Sequence, residues 1–578
     1  MQTVLHMPQS EQNELRGRFL RSENGGRPSL SVAFAPDALL GFHLSLPRKL
    51  GTLAVTLVLS ADGDPRILTL PLSWSGMGHG NDRYNALLAL SMLSARASFF
   101  TYRIELETAY GHLFACKKDG EEIAFSAFLP TEEEEFCFYL YRPNYALLTD
   151  GLGGATYAVS PISQHTGAPI LEKKEFFAHL SRLGVNALWL VSDKKEDRKP
   201  WRAERVLPSS VRRSAQESGV RIYPDFWLAA GLSGNIGYFF EEGTTRTPTG
   251  ETGEPMPESC GVMPVSSLTY GERRPCCDHF CGPDGTVAAW MRAGADGFFV
   301  RAADGVGDAF LSVVREKIAE EDGRALFGVL RTHRPGDIAF GVRRRFFLGG
   351  EFEGCVTPSL RAALYGYLTE GKTNALRHFF TEELPCLPTP VLHSSFNALS
   401  LPGERFFDTL PENADREALA QLAYLIAATL PGNPLIFAGD EWGDGEENGE
   451  NTLYAFYLRV AKMRLKEAVY RDGALRLLHL DRDLLVFSRE REGEALLTVI
   501  NRLAAPLFLS GDFTVLFGGR GRKTQFALPP LGGAVCRVSL WPGEEGDLLL
   551  SRSQPAAAPV PNAAEKSEIL HFATHGVL

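Results

Sequence analysis

Between about residue 150 and residue 472, one local pattern keeps returning: an amphipathic helical stripe, a glycine, then a short apolar run. Phe176, Phe177, Leu180 and Leu183 fall on one helical face, Gly184 follows, and Val185–Val191 is mostly apolar. The unit recurs as Val211–Ser218, Gly219 and Val220–Tyr223. It returns as Val287–Ala293, Gly294 and Gly297–Val300, and as Phe310–Glu321, Gly323 and Ala325–Leu330. Near the end of the stretch, Leu419, Leu422 and Ile426 make a stripe, Pro431 and Gly432 break it, and Leu435–Ala438 is strand-like. A glycine just past a helix end supplies the left-handed cap, and continuous apolar strands belong to parallel sheets buried on both faces.

Tyr157–Val159, Cys355–Val356 and Val391–Leu392 are further strand candidates, giving about eight strands and predicting a (β/α)8 barrel over residues 149–472. A doubly wound open sheet is the alternative, and it needs a glycine-rich first turn that opens a helix. Residues 1–148 instead alternate apolar runs with turns (Leu40–Leu46, Leu53–Leu59, Ile67–Leu72, Phe99–Leu106), which predicts an antiparallel sandwich. Residues 473–550 return to strands and turns, with Gly518–Lys523 expected as a hairpin turn rather than a phosphate loop. Residues 551–578 are rich in Ala and Pro at first and are expected to form a flexible tail.

Composition narrows the function classes. Net charge is −11, which argues against nucleic acid as a partner. No apolar stretch approaches the ~20 residues of a membrane span, and the first residues lack the pattern of a signal peptide. Nine cysteines without framework spacing favour a reducing compartment, so a cytoplasmic protein is expected.

Two long segments then resemble a known family. Gly294-Ala-Asp-Gly-Phe-Phe-Val-Arg-Ala-Ala-Asp-Gly-Val-Gly-Asp-Ala-Phe310 resembles the fourth-strand motif of the α-amylase superfamily, glycoside hydrolase family 13. Thr429-Leu-Pro-Gly-Asn-Pro-Leu-Ile-Phe-Ala-Gly-Asp-Glu-Trp-Gly443 resembles its eighth-strand segment, and Leu183–Leu190 its approach to the second strand. With an N-terminal sandwich, the neopullulanase and cyclomaltodextrinase branch is the nearest likeness. The resemblance implies α-glucan chemistry at the C-terminal mouth of the barrel.

That chemistry requires carboxylates. A retaining glycosidase sets an ionised nucleophile and a protonated acid roughly 5 Å apart across the glycosidic bond. At the positions the resemblance assigns to nucleophile, acid and third carboxylate, this sequence has Arg301, Val329 and Phe396. Arginine is permanently cationic and cannot form a glycosyl ester, and valine cannot protonate a leaving oxygen. The third-strand motif keeps its first acid as Asp225, while Phe299 stands where the family has arginine. No catalytic residue is therefore expected.

The residues expected around the mouth are Asp225, Phe299, Arg301, Arg331, Asp440 and Glu441. Asp304, Asp440 and Glu441 match acids the family itself carries, so they need no new role. Asp444–Asn451 reads as a solvated loop rather than a calcium loop. Cys260, Cys276, Cys277, His279 and Cys281 lack a second ligand pair, so reduced thiols are expected and no metal or cofactor is assigned. His333 and His393 read as lone histidines near strand ends, structural or solvent-facing rather than catalytic.

Three readings stay open: a non-catalytic family member that binds an α-glucan or maltooligosaccharide, an active enzyme with rearranged acids, and a structural or regulatory protein. For the first and third, a protein partner or a second copy of the chain also stays open.

Overall fold

Eight short strands close into a parallel barrel: β1 (Ala155–Val159), β2 (Val185–Leu190), β3 (Arg221–Phe226), β4 (Gly297–Arg301), β5 (Ala325–Val329), β6 (Gly354–Val356), β7 (Phe396–Ala398) and β8 (Asn433–Phe437). β1 pairs with both β2 and β8, which completes the ring and excludes the open sheet. This computed structural model of the chain describes residues 2–6, 33–141, 154–191, 207–226, 280–348, 351–539, 547–551 and 569–573. Within those spans it omits gaps of one to eight residues, among them 162–169, 302, 331–337 and 446–449.

The predicted glycines do the work assigned to them. Gly184, Gly219, Gly294 and Gly323 follow the helices Phe176–Arg182, Ser209–Glu217, Thr286–Arg292 and Asp308–Ile318, with φ between +66° and +97°. Each turns the chain directly into the next strand, a conformation that L side chains adopt only with strain.

Alternation along the strands then divides the core in two. Trp189, Tyr223, Phe299, Phe327, Phe396 and Phe437 fill the lumen together with smaller apolar residues. Their neighbours Leu188, Leu190, Ile222, Phe298, Val300 and Leu326 pack outward against the helices. Both faces are apolar, which is why these strands read as continuous runs.

One strand is misplaced by the sequence reading. Val391 and Leu392 lie in the helix Thr389–Ser394, and the seventh strand begins only at Phe396. Pro388 precedes that helix and Pro390 lies in its first turn, where a missing N–H costs nothing.

At the N-terminal end of the chain, a four-stranded and a seven-stranded sheet enclose a second apolar core; three of the four expected runs fall within strands, and the fourth runs one residue, Leu72, past its strand. This unit meets the barrel through Arg343, whose Nε donates to Asp62 at 3.0 Å and whose guanidinium lies 3.8 Å from the Phe99 ring centre.

Downstream of the barrel is an eight-stranded antiparallel sheet. Its strands Leu507–Phe517 and Gly521–Leu528 pair across the glycine-rich turn, as expected. The expectation of a flexible tail needs correction, because Ile569–Ala573 pairs with Asp547–Ser551 as a further strand of this sheet. Both segments are short apolar runs, and the Ala/Pro-rich composition that suggested a tail covers only the residues between them.

Two buried arginines lie near this junction, and Arg489, on the sheet, ties it to the barrel. Arg464 donates to the carbonyls of Ala428 and Gly432, and Arg489 to those of Thr429, Gly473, Val469 and Tyr470. Ala428 and Thr429 end the helix Arg416–Thr429, where the macrodipole favours cations.

Candidate functional site at the barrel mouth

Asp225 is the second-last residue of β3, and its register partner on β4 is Phe299. Two residues further along β4, Arg301 reaches back diagonally and donates Nη1 to Asp225 Oδ2 at 3.1 Å. The other carboxylate oxygen accepts from Trp189 Nε1 of β2 at 3.3 Å. The aspartate side chain is 1% exposed and the arginine side chain 18% exposed. Desolvating a charge this far is tolerable only when it is paired and hydrogen-bonded, and here three adjacent strands supply that pairing. Trp189 was not singled out from the sequence. The signal was its place in an otherwise aliphatic run, where a buried indole N–H needs an acceptor.

Below this pair lies a plug of rings. Phe299 stacks on Trp189 with centroids 4.5 Å apart, and lies 5.1 Å from Phe327 and 4.9 Å from Phe396. Phe327 and Phe396 meet edge-on at 4.7 Å.

These contacts correct two expectations about the mouth. Phe299 is fully buried in the lumen and is not a mouth residue. Phe396 occupies the same inner layer as Phe299 and Phe327, each two residues before Arg301 and Val329 on its own strand. It begins β7 rather than ending it. Through Val356, Phe396 is in register with Val329 and Arg301, while its ring packs against Phe299 and Phe327 because closing a barrel staggers the strands. Val329 packs half-buried against the rim of the plug. Arg331 and His333 lie outside the described residues.

Asp440 and Glu441 are both engaged in holding the chain after β8. Asp440 accepts from Ser400 Oγ at 2.6 Å and from the Phe437 N–H at 3.1 Å. Burial raises its carboxyl to about 7 against those two hydrogen bonds. Glu441 accepts from Tyr157 Oη at 2.8 Å and from the Gly439 N–H at 3.0 Å, with His179 Nε2 at 2.9 Å. Tyr157 faces the helix layer, so Glu441 points away from the lumen. Asp304 sits in the short turn Ala303–Gly305 after β4, half-buried, and its charge acts on Arg344 and Cys355.

Cys260, Cys276, Cys277 and His279 lie outside the described residues, while Cys281 is half-buried. Among the described residues no three His, Cys, Asp or Glu side chains form a metal cluster. His393 is structural: burial, helped by Arg489 and Arg464, pushes it down to about 3. No helix among the described residues is long and apolar enough to cross a membrane.

The chain is 26% identical over 235 residues to neopullulanase 2 of Thermoactinomyces vulgaris, a match spanning 37% of this chain and 38% of that protein's length. Over that stretch the chain is similar to a neopullulanase, in line with the family resemblance of its barrel motifs. No family model matches it. Its fold is that of the type III pullulan hydrolase from Thermococcus kodakarensis (TM-score 0.51, 15% identity, 88% of this chain and 98% of that one). A cyclomaltodextrinase gives a TM-score of 0.53 at 14% identity, again over 88% and 98%. Two of these similar proteins are thus named for action on pullulan and cyclomaltodextrins.

Proposed function

We propose that this α-amylase-family chain does not hydrolyse glycosidic bonds and acts through binding an α-glucan. The observation that carries the reading is Arg301: the position matching the family nucleophile bears a cation, and its guanidinium is bound to Asp225, the one acid retained on the neighbouring strand. A covalent glycosyl intermediate needs a free carboxylate at that place. Val329, the register partner of Arg301, and the lumen residue Ala398 offer no proton donor and no charge for an oxocarbenium-like state. Asp440 would be the best replacement acid on its protonation alone, but it is buried at the foot of a loop with both oxygens in use.

The test is release of reducing sugar from pullulan, starch and cyclodextrins by the purified full chain. No release is expected. Turnover at ordinary enzyme rates, about 1–10³ per second, would overturn the reading. If Asp304→Asn or Asp440→Asn then abolished that turnover, the enzyme with rearranged acids would take its place.

A further inference from the structure

The segment that leads into β6 faces two ways. Toward the N-terminal sandwich, Arg343 reaches Asp62 and the Phe99 ring, and the buried Leu348 packs among Ala33, Phe99 and Tyr139. Toward the barrel, Arg344 Nε pairs with Asp308 Oδ1 at 3.0 Å, and the Arg345 N–H donates to Asp308 Oδ2 at 2.8 Å. Glu353 pairs with Arg315 and accepts from the Leu326 N–H at 2.8 Å. The Leu348 N–H donates to the Arg345 carbonyl and the Phe352 N–H to that of Phe346, which draws both sets of contacts into one folded unit. The sandwich contacts therefore keep their place only while the barrel contacts hold.

Glu351 is buried inside this unit without a cation of its own. Three carboxyls, Asp308, Glu351 and Glu353, meet two largely buried guanidiniums, and Arg344 and Arg315 are already paired with Asp308 and Glu353. Arg345 is exposed, and Asp304 adds a further negative charge beside Arg344 from the turn after β4. Ser312 Oγ donates to Glu351 Oε1 at 3.2 Å, and among the described residues nothing donates to Oε2. Burial and the Asp308 charge favour the neutral acid, and Ser312, Arg345 and Arg344 do not outweigh them.

We propose that this segment is a pH-sensitive strap, which holds the sandwich on the barrel while Glu351 is a neutral acid and lets go when that carboxyl ionises. Ionisation puts a charge beside Asp308 in a buried place where both neighbouring guanidiniums are committed. The charge is relieved by drawing Arg344 off Asp308 or by admitting water, and either loosens the turn that carries Arg343 and Leu348. The docked segment keeps a proton that an exposed glutamate releases above about 4.5, so docking is strongest in acid and weakens as pH rises through about 8. Burial raises Glu353 to about 7, but Arg315 is in place to receive its charge, so its ionisation leaves the strap anchored.

The experiment is small-angle X-ray scattering of the full chain between about pH 6 and about pH 9.5, with circular dichroism on the same samples. A compact chain of this length has a radius of gyration of ~25 Å, and release of the sandwich should enlarge it by roughly a tenth. The midpoint should lie near pH 8 with the circular dichroism unchanged. Glu351→Gln, neutral at every pH, should stay compact throughout, and Arg343→Ala/Leu348→Ser should be enlarged even in acid. A constant wild-type radius, or a compact double variant, would overturn the strap. Loss of secondary structure in step with the radius would overturn it too, because the whole chain would then be unfolding. An equal rise in wild type and Glu351→Gln would remove Glu351 as the trigger. If Glu351→Gln does not fold, Ser312→Ala decides: losing the hydroxyl that supports the ionised form should move the midpoint to higher pH, and an unmoved midpoint overturns the proposal.

Discussion

Arg301 and Asp225, on neighbouring barrel strands, form an ion pair at 3.1 Å directly above a buried plug of phenylalanine and tryptophan rings. The pair and the plug are one construction. Phe299 occupies the place where the family resemblance expects an arginine, and the cation appears two residues later, where the nucleophile is expected. A ring at 299 fills the lumen from β4, and the arginine at 301 compensates the aspartate that the third strand keeps. The result is an apolar mouth floor with a buried charge pair above it.

Removing one partner should therefore cost more than removing both. Asp225→Ala leaves a partly buried guanidinium without its carboxylate, and also frees the Trp189 indole N–H. We expect a loss of about 3–5 kcal/mol in urea unfolding. The double variant Asp225→Ala/Arg301→Met, compared with Asp225→Ala and Arg301→Met alone, should recover much of it. If the two single losses simply add in the double variant, the pair is not coupled and this account of the mouth fails.

The plug makes a separate prediction. Phe299 has no exposed surface and touches Trp189, Tyr223, Phe327 and Phe396. Phe299→Ala should destabilise by about 3–5 kcal/mol, whereas Phe299→Leu should cost much less. Thermal melts of the two variants decide. Near-wild-type stability in the alanine variant would mean that the lumen is open rather than filled.

How far the sequence reached can be read from these same residues. The helix–glycine–strand units were legible because Gly184, Gly219, Gly294 and Gly323 carry a backbone demand that no other residue meets cheaply. The place of Asp225 beside Arg301 was legible because β3 and β4 are adjacent and the fourth-strand motif aligns without gaps. Phe396 was not, because its position around the barrel depends on strand stagger, a property of closure that no local pattern records. Val391 and Leu392 failed for a simpler reason: two apolar residues between prolines and serines fit a short helix as well as a strand.

Stability should also depend on pH through Glu351. Burial first, and Asp308 second, push its carboxyl up to about 8, against the Ser312 hydrogen bond and the nearby Arg345 and Arg344. The folded chain therefore keeps a proton that the unfolded chain releases above about 4.5. Its stabilising contribution is complete below that value and is lost as pH rises through about 8. Urea midpoints should fall between pH 5 and pH 8, and Glu351→Gln should flatten that slope. Burial raises Glu353 and Asp440 to about 7, so part of the slope should survive in the variant. An unchanged slope in Glu351→Gln would exclude this carboxyl as its source.

The strictest constraint in the barrel lies at Gly297, the glycine that opens β4. Its φ is +141°, and a Cβ built there would stand 1.8 Å from the Ala325 carbonyl oxygen on β5. The two backbones approach because Gly297 and Ala325 are register partners, and because the Ala325 N–H is drawn to the carbonyl of Asp296, the residue before it. Asp296 in turn accepts from the Ile222 N–H at 2.8 Å, so the start of β4 is fixed on both flanks and cannot slide to make room. A methyl group must then displace backbone rather than a flexible side chain. Gly297→Ala should cost about 4 kcal/mol or more, a large share of the total stability of an ordinary domain. The expected outcome is insoluble protein or a melting temperature lowered by several degrees. Gly219→Ala is the control: its φ is +66°, but nothing lies within 4 Å of the added Cβ, so only the smaller backbone penalty applies. If the two variants melt together, close strand packing does not set the start of β4, and the fourth-strand motif owes its glycine to something other than the barrel's geometry.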